Sequence, residues 1–230
     1  MTAAGNPALL FVVTDLDPAH EAAVNRWYDS RHVPQRQALP GFISAERYEL
    51  IQGAHPGQIG PKYAALYDTE SPDALKTNDY KALSQPPIQT GEDREMVTYF
   101  RNNMRCVMTL ISETVSDSAA SYGEPQVLNA VGLQPHTGYE EEYNAWYDEE
   151  HIPFIIKVPG VLRVRRFRGV EGPLQYLTLW EHADVRVRGT EAFSKAAETP
   201  WTFRMREHCD RPITAMYRPL VPAGAGTNPV

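Results

Sequence analysis

The chain is short of cysteine, with only Cys106 and Cys209 in 230 residues, and these form neither a C-x-x-C pair nor a zinc spacing. Two isolated thiols build no disulfide framework, so the sequence reads as that of a protein of the reducing cytoplasm. A basic excess is also lacking. Lys and Arg total 22 against 29 Asp and Glu, giving a net charge of −7. Nucleic acid is excluded as a partner, because phosphate binding requires a basic face, and the same charge argues against an anionic membrane. Long apolar runs are missing: the stretch Ala8 to Val13 is too short for a signal segment or a membrane span and reads as a strand. No glycine-rich phosphate loop follows a strand and no G-x-S-x-G elbow occurs, so neither a nucleotide cofactor nor a serine nucleophile is indicated. The seven histidines contain no H-x-x-x-H pair. With 42% hydrophobic and 22% charged residues, what remains is an ordinary globular composition.

What the sequence does have is an internal repeat. Residues 25–41 read NRWYDSRHVPQRQALPG and residues 144–160 read NAWYDEEHIPFIIKVPG, identical at eight of seventeen positions at a constant offset of 119. The match resumes at an offset of 113, where Tyr63, Tyr67 and Tyr80 fall opposite Tyr176, Trp180 and Phe193. The six-residue change lies in the Gly- and Pro-rich loop 52–61, the kind of segment that accepts insertions.

Each copy reads as βαββαβ. In the first, a strand over Leu9–Thr14 leads to Asp17-Pro18, a helix start. The helix is expected to end or kink at Val33, since the residue before Pro34 is pushed out of helical space. Strands follow over 42–51 and 62–67, then a helix opened by Ser71-Pro72-Asp73, a helix over 90–102 and a last strand over 106–111. The second copy repeats the order, with strands over 127–133, 161–170, 176–181 and 213–217 and helices over 137–152 and 183–197. The expected fold class is α+β: tandem duplicated ferredoxin-like modules over 1–116 and 124–219, packing sheet to sheet, then a flexible tail over 220–230.

The segments Trp27-Tyr28-Asp29-Ser30-Arg31-His32-Val33-Pro34 with Pro40-Gly41-Phe42, and Trp146-Tyr147-Asp148-Glu149-Glu150-His151-Ile152-Pro153 with Pro159-Gly160-Val161, resemble the EthD-like branch of the dimeric α/β-barrel superfamily. The resemblance covers nearly the whole chain outside the tail. It implies a barrel formed by two sheets, closed here as a pseudo-dimer within one chain, with a pocket between helices and sheet in each module. Whole chains are left free to associate further as a homodimer. Relatives across the superfamily include cyclases, lactone isomerases, lyases, cofactor-free monooxygenases and haem enzymes, so it fixes no reaction.

The residues suited to chemistry lie on the motif helix. Tyr28 and His32 are four apart and Asp29 and His32 three apart, so they are neighbours on one face, as are Tyr147, Asp148 and His151. A His beside an Asp suits a general base, and a Tyr suits an oxyanion. Substrate contacts are assigned to Trp27, Arg31, Arg36, Arg47, Tyr48, Tyr63 and Tyr67 in the first copy and to Trp146, Arg166, Tyr176 and Trp180 in the second. The duller alternative stands beside this: the tryptophans and most strand aromatics are core, the arginines pair with surface acids, and the motif is architectural. Because Arg31 and Arg36 face Glu150 and Ile155, the first pocket is expected to be cationic and the second apolar. Asp148-Glu149-Glu150-His151 cannot converge on one metal, since consecutive helical side chains point apart. Haem stays open, because one axial His suffices. The leading expectation is a lyase, isomerase or cyclase without a cofactor, acting by His proton transfer on a small aromatic or polyketide-like compound. The rivals are a non-catalytic binding or stress-response module and an oxygen-using enzyme, with haem or cofactor-free.

Overall fold

β1 (Ala8–Leu16) shows how the sequence builds this protein. Side chains alternate across a strand, and both faces of β1 are buried: Leu9, Phe11 and Val13 enter one core, Leu10 and Leu16 another. The computed structural model describes residues 6–84 and 91–220. After β1 come α1 (Glu21–Trp27), a π-helical turn (Tyr28–His32), α2 (Val33–Gln37), β2 (Phe42–Leu50), β3 (Tyr63–Thr69), a 3₁₀ turn (Pro72–Lys76), α3 (Asn78–Ser84), α4 (Gly91–Thr98) and β4 (Phe100–Val115). The second half runs β5 (Val127–Pro135), α5 (Glu140–Trp146), a π-helical turn (Tyr147–His151), α6 (Ile152–Ile155), β6 (Val161–Glu171), β7 (Tyr176–His182), a 3₁₀ turn (Val185–Gly189), α7 (Glu191–Ala197), α8 (Pro200–Glu207) and β8 (Cys209–Pro219).

The eight strands close into one antiparallel barrel in the order β1-β3-β2-β8-β5-β7-β6-β4. In each half the first strand lies between the third and fourth, with the second outside the third. Two seams join the halves. β4 and β6 pair from Val107↔Glu171 to Val115↔Arg163, whereas β2 and β8 pair only over Tyr48↔Pro219, Glu49↔Arg218 and Leu50↔Tyr217. The first half's longer loop makes up the difference. Ile59 bridges to Thr214, and the Ile51 N–H donates to the Met216 carbonyl, so part of that loop lies along β8 as barrel wall.

The barrel interior is a single core to which both halves contribute, including Phe11, Leu66 and Met108 from the first and Phe167, Leu179 and Tyr217 from the second. Each half adds its own core between helices and sheet. Gly41 and Gly160 turn the chain from helix to strand at φ of +83° and +85°, a region that L side chains avoid.

Two points of the sequence reading need correction. The helix expected over 90–102 ends at Thr98 (Thr90 lies outside the described residues), because Phe100 and Arg101 pair with Leu16 and Asp15 of β1. The sequence reading passed over α8, which begins at Pro200 and is capped by the Thr199 hydroxyl accepting the Thr202 N–H. Beyond Leu220, the segment read as a tail lies outside the described residues. Among the described residues, no helix is long and apolar enough to cross a membrane.

Candidate functional site

The motif helix does not stop before Pro34. Proline offers no N–H to the carbonyl four residues back, and the helix widens by one residue: the Val33 N–H bonds the Tyr28 carbonyl, an i→i+5 step, before α2 continues to Gln37. Ile152 does the same with Tyr147 before Pro153. Such π turns gather at functional sites. Here the turn packs the His32 ring against both Trp27, at 4.4 Å, and Tyr28, at 4.3 Å. His151 meets Trp146 at 4.2 Å and Tyr147 at 5.2 Å.

The aspartates turn elsewhere. Arg47, on β2, donates to Asp29 at 2.5 Å and to Asn25 at 2.5 Å, and its guanidinium lies 4.4 Å over the Tyr28 ring. Arg166, on β6, donates to Asp148 at 2.7 Å and Asn144 at 2.8 Å, 4.2 Å over Tyr147. The repeated Asn and Asp, four apart on one helix face, thus hold the two arms of one guanidinium, locking helix to sheet. Asp29 and Asp148 bond these arginines and not His32 or His151, so the clamp stands where an orienting role was expected of them.

Equivalent places in the two halves hold a cavity between helices and sheet. The first has a volume of about 480 Å³, and Tyr28, His32, Arg36, Tyr67, Tyr80 and Arg105 supply its polar wall. The second has a volume of about 80 Å³, with Trp146, Tyr147, His151 and Trp180 on its walls together with Arg188, Arg206 and Arg211. The expectation that the second pocket would be the apolar one is therefore corrected. It takes its cations from the 3₁₀ turn, α8 and β8, positions the repeat does not share.

Of the residues singled out in the sequence, Tyr28, His32, Arg36 and Tyr67 meet in the larger cavity. Trp27 and Arg31 bind Asp93 behind it, each at 2.8 Å, and Trp146 donates to Thr202. Tyr63 and Tyr176 donate to Glu21 and Glu140, and Tyr48, packed on the barrel core, donates to the exposed Glu46. Tyr80, Arg105 and the three second-half arginines were passed over. Tyr80 had a signal, its place opposite Phe193 in the repeat.

Arg36 is 5% exposed and donates to the backbone carbonyls of His32 and Leu83, with no carboxylate partner among the described residues. Among the described residues the buried Tyr67 hydroxyl has no partner in hydrogen-bond geometry, although it lies close enough to Tyr28 to favour that phenol's anion. Burial, helped by Arg36 and Arg47, holds the His32 imidazolium well below the usual histidine range. Burial and the arginines 206, 166 and 188 push His151 down to about 3. Burial raises Tyr28 and Tyr67, partly opposed by Arg47 and Arg36. At neutral pH the larger cavity therefore presents a neutral imidazole, neutral phenols and a buried cation. Such a site accepts a proton and steadies an adjacent oxyanion. Among the described residues, no group of three His, Cys, Asp or Glu side chains is placed to hold a metal ion.

No protein-family model matches the chain, and neither does any curated protein. Solved structures do match it over nearly its full length. An anthrone oxidase-like protein superposes with a TM-score of 0.65 at 11% identity, over 96% of this chain and 94% of that one. A protein designated a monooxygenase in Lactobacillus acidophilus NCFM gives 0.54 at 11%, over 93% and 94%. A variant chlorite dismutase from Candidatus Nitrospira defluvii gives 0.56 at 10%, over 95% and 92%. At such identities the likeness shows the fold alone, an α+β antiparallel barrel resembling those of these proteins, with all eight strands in one polypeptide.

Proposed function

We propose that the chain is a cofactor-free enzyme that removes a proton from a small phenolic or polyketide-like aromatic compound held in the first-half cavity, and passes the resulting carbanion to molecular oxygen. The carrying observation is the convergence of neutral His32, buried Arg36 and the Tyr67 hydroxyl on one 480 Å³ space. In this reading His32 takes the proton from an activated CH₂ of the substrate. The negative charge spreads onto the substrate's oxygen, where Arg36 and Tyr67 steady it. The carbanion then gives electrons to oxygen, and loss of water from the hydroperoxide leaves a ketone, CH₂ + O₂ → C=O + H₂O.

The names carried by the anthrone oxidase-like and monooxygenase neighbours support the oxygen-using form over a lyase, isomerase or cyclase, which would share only the first step. An axially ligated haem fits these residues poorly. An iron-bound histidine normally donates its second nitrogen to a carboxylate or carbonyl. The His32 ring has no hydrogen bond among the described residues, and His151 faces only about 80 Å³. We also read the chain as two tandem ferredoxin-like modules of the EthD-like branch, on the repeated Asn–Asp–Arg clamp and π turn.

Oxygen uptake with anthrone as probe tests the reading. Consumption of one oxygen per anthrone oxidised, above the buffer rate and without a Soret band in the pure protein, is the expected result. Conversion of the probe without oxygen uptake would return the chain to the lyase or isomerase reading.

A further inference from the structure

The second-half cavity is lined by three arginines that have no ion-pair partner among the described residues. Arg163, Arg165, Arg166, Arg168, Arg186 and Arg204 each hold a carboxylate within 4.0 Å. Arg188, Arg206 and Arg211 hold none among the described residues, although the chain as a whole is acidic. All three line the same cavity. Glu198 acts on Arg206 from beyond ion-pair range. The cluster is not a requirement of the shared fold: Leu75 stands opposite Arg188 at the offset of 113, and Val97 and Asn102 stand opposite Arg206 and Arg211 at the offset of 109 that the pairings Leu9↔Met108 and Leu128↔Tyr217 set for the last strand.

Three guanidiniums facing one space repel one another. Burial, together with Arg206 and Arg211, lowers Arg188 to about 10, and burial and Arg211 lower Arg206. A cluster held at such a cost without a counter-charge is the arrangement an anion completes. Thr214 and Asn129, both buried, add a hydroxyl and a side-chain amide to the same wall, groups whose O–H and N–H can donate to an anion, whereas the Thr202 hydroxyl is taken up by Trp146, Thr199 and His151. The volume sets the size of the guest. About 80 Å³ exceeds the roughly 10–15 Å³ of cavity that one water requires, and suits one oxyanion group better than an aromatic ring system.

We propose that Arg188, Arg206 and Arg211 form an oxyanion-binding site in the second half, taking a free tetrahedral oxyanion or the carboxylate of a small acid. The site is separate from the first-half cavity and stands whether or not that cavity is catalytic.

The test is the melting temperature of the full chain in sodium phosphate, sodium sulfate and sodium acetate, each against sodium chloride at equal ionic strength. Binding to the folded state raises the melting temperature by mass action, and a rise of about 3 °C or more over chloride is expected. A response to phosphate and sulfate alone identifies a free tetrahedral anion, and a response to acetate alone identifies a carboxylate. Arg206→Gln and Arg211→Gln, both at exposed positions, should lose most of the response. In chloride they should melt no lower than the wild type, because removing one cation relieves the repulsion. Arg186→Gln, at an arginine paired with Asp184, should keep the response. A wild type that responds to no anion beyond chloride, or a response that survives Arg206→Gln with Arg211→Gln, would overturn the proposal.

Discussion

Replacement of His32 by glutamine is expected to slow oxygen uptake with a competent substrate about 10²–10⁴-fold, the usual contribution of a positioned general base. Glutamine keeps the polarity of the site but accepts no proton under these conditions. His151→Gln should change stability without a comparable loss of rate, since its cavity, about 80 Å³ against about 480 Å³, is much the smaller of the two. The pH profile carries a second signature. Burial, Arg36 and Arg47 hold the His32 conjugate acid well below the ordinary value of 6.5. The base form is present above the depressed pKa, so the rate should stay flat as pH falls from about 8 to about 6 and decline only in more acid solution. A decline centred near 6.5 would mean a histidine in ordinary surroundings, and the cavity electrostatics described above would be wrong.

The largest effect on stability is expected at Arg47. Its side chain and that of Asp29 are 6% and 16% exposed, so Arg47→Leu strands a carboxylate that water barely reaches. Breaking a buried pair on one side costs about 3–5 kcal/mol, or roughly 10 °C of melting temperature in a chain of this size. Arg166 is more deeply buried, at 1%, but its partner Asp148 is 60% exposed and regains water once released. Arg166→Leu should therefore cost clearly less than Arg47→Leu. Adding Asp29→Leu to Arg47→Leu should recover part of the loss, because both charges are then gone. Equal losses at the two arginines, or no recovery in the double variant, would show that the clamp does not act through the buried charge pair.

The contrast between the two clamps shows where sequence reasoning reached and where it stopped. Asp29 and Arg47 both stood out in the sequence, one as a partner for His32 and the other as a ligand for substrate. They are 18 residues apart on a helix and a strand, and spacing along the chain does not give the register between two packed elements. Strand β1 was legible because its apolar run is continuous, and Pro40-Gly41 because only glycine suits the turn. Pro34 was legible as a disturbance of the helix but not in its outcome. A missing N–H can end a helix or widen it, and the packing of Trp27 and Tyr28 decides in favour of widening. The cations of the second cavity were illegible for a different reason. The repeat drew attention to positions that match, whereas Arg188, Arg206 and Arg211 stand where the two halves differ.

The central claim is that the first-half cavity receives a phenolic ligand whose negative charge Arg36 steadies. The most direct measurement is a visible-absorption titration of a hydroxyanthraquinone with the pure protein near pH 7. A phenol bound beside a buried guanidinium ionises more readily than in water, so its band should move to longer wavelength as protein is added. The shift should vanish in Arg36→Leu and persist in Arg206→Gln, whose cation lies in the other cavity. A spectrum that never changes with the wild type, or a shift that Arg36→Leu retains in full, would contradict the assignment of that cavity as the site.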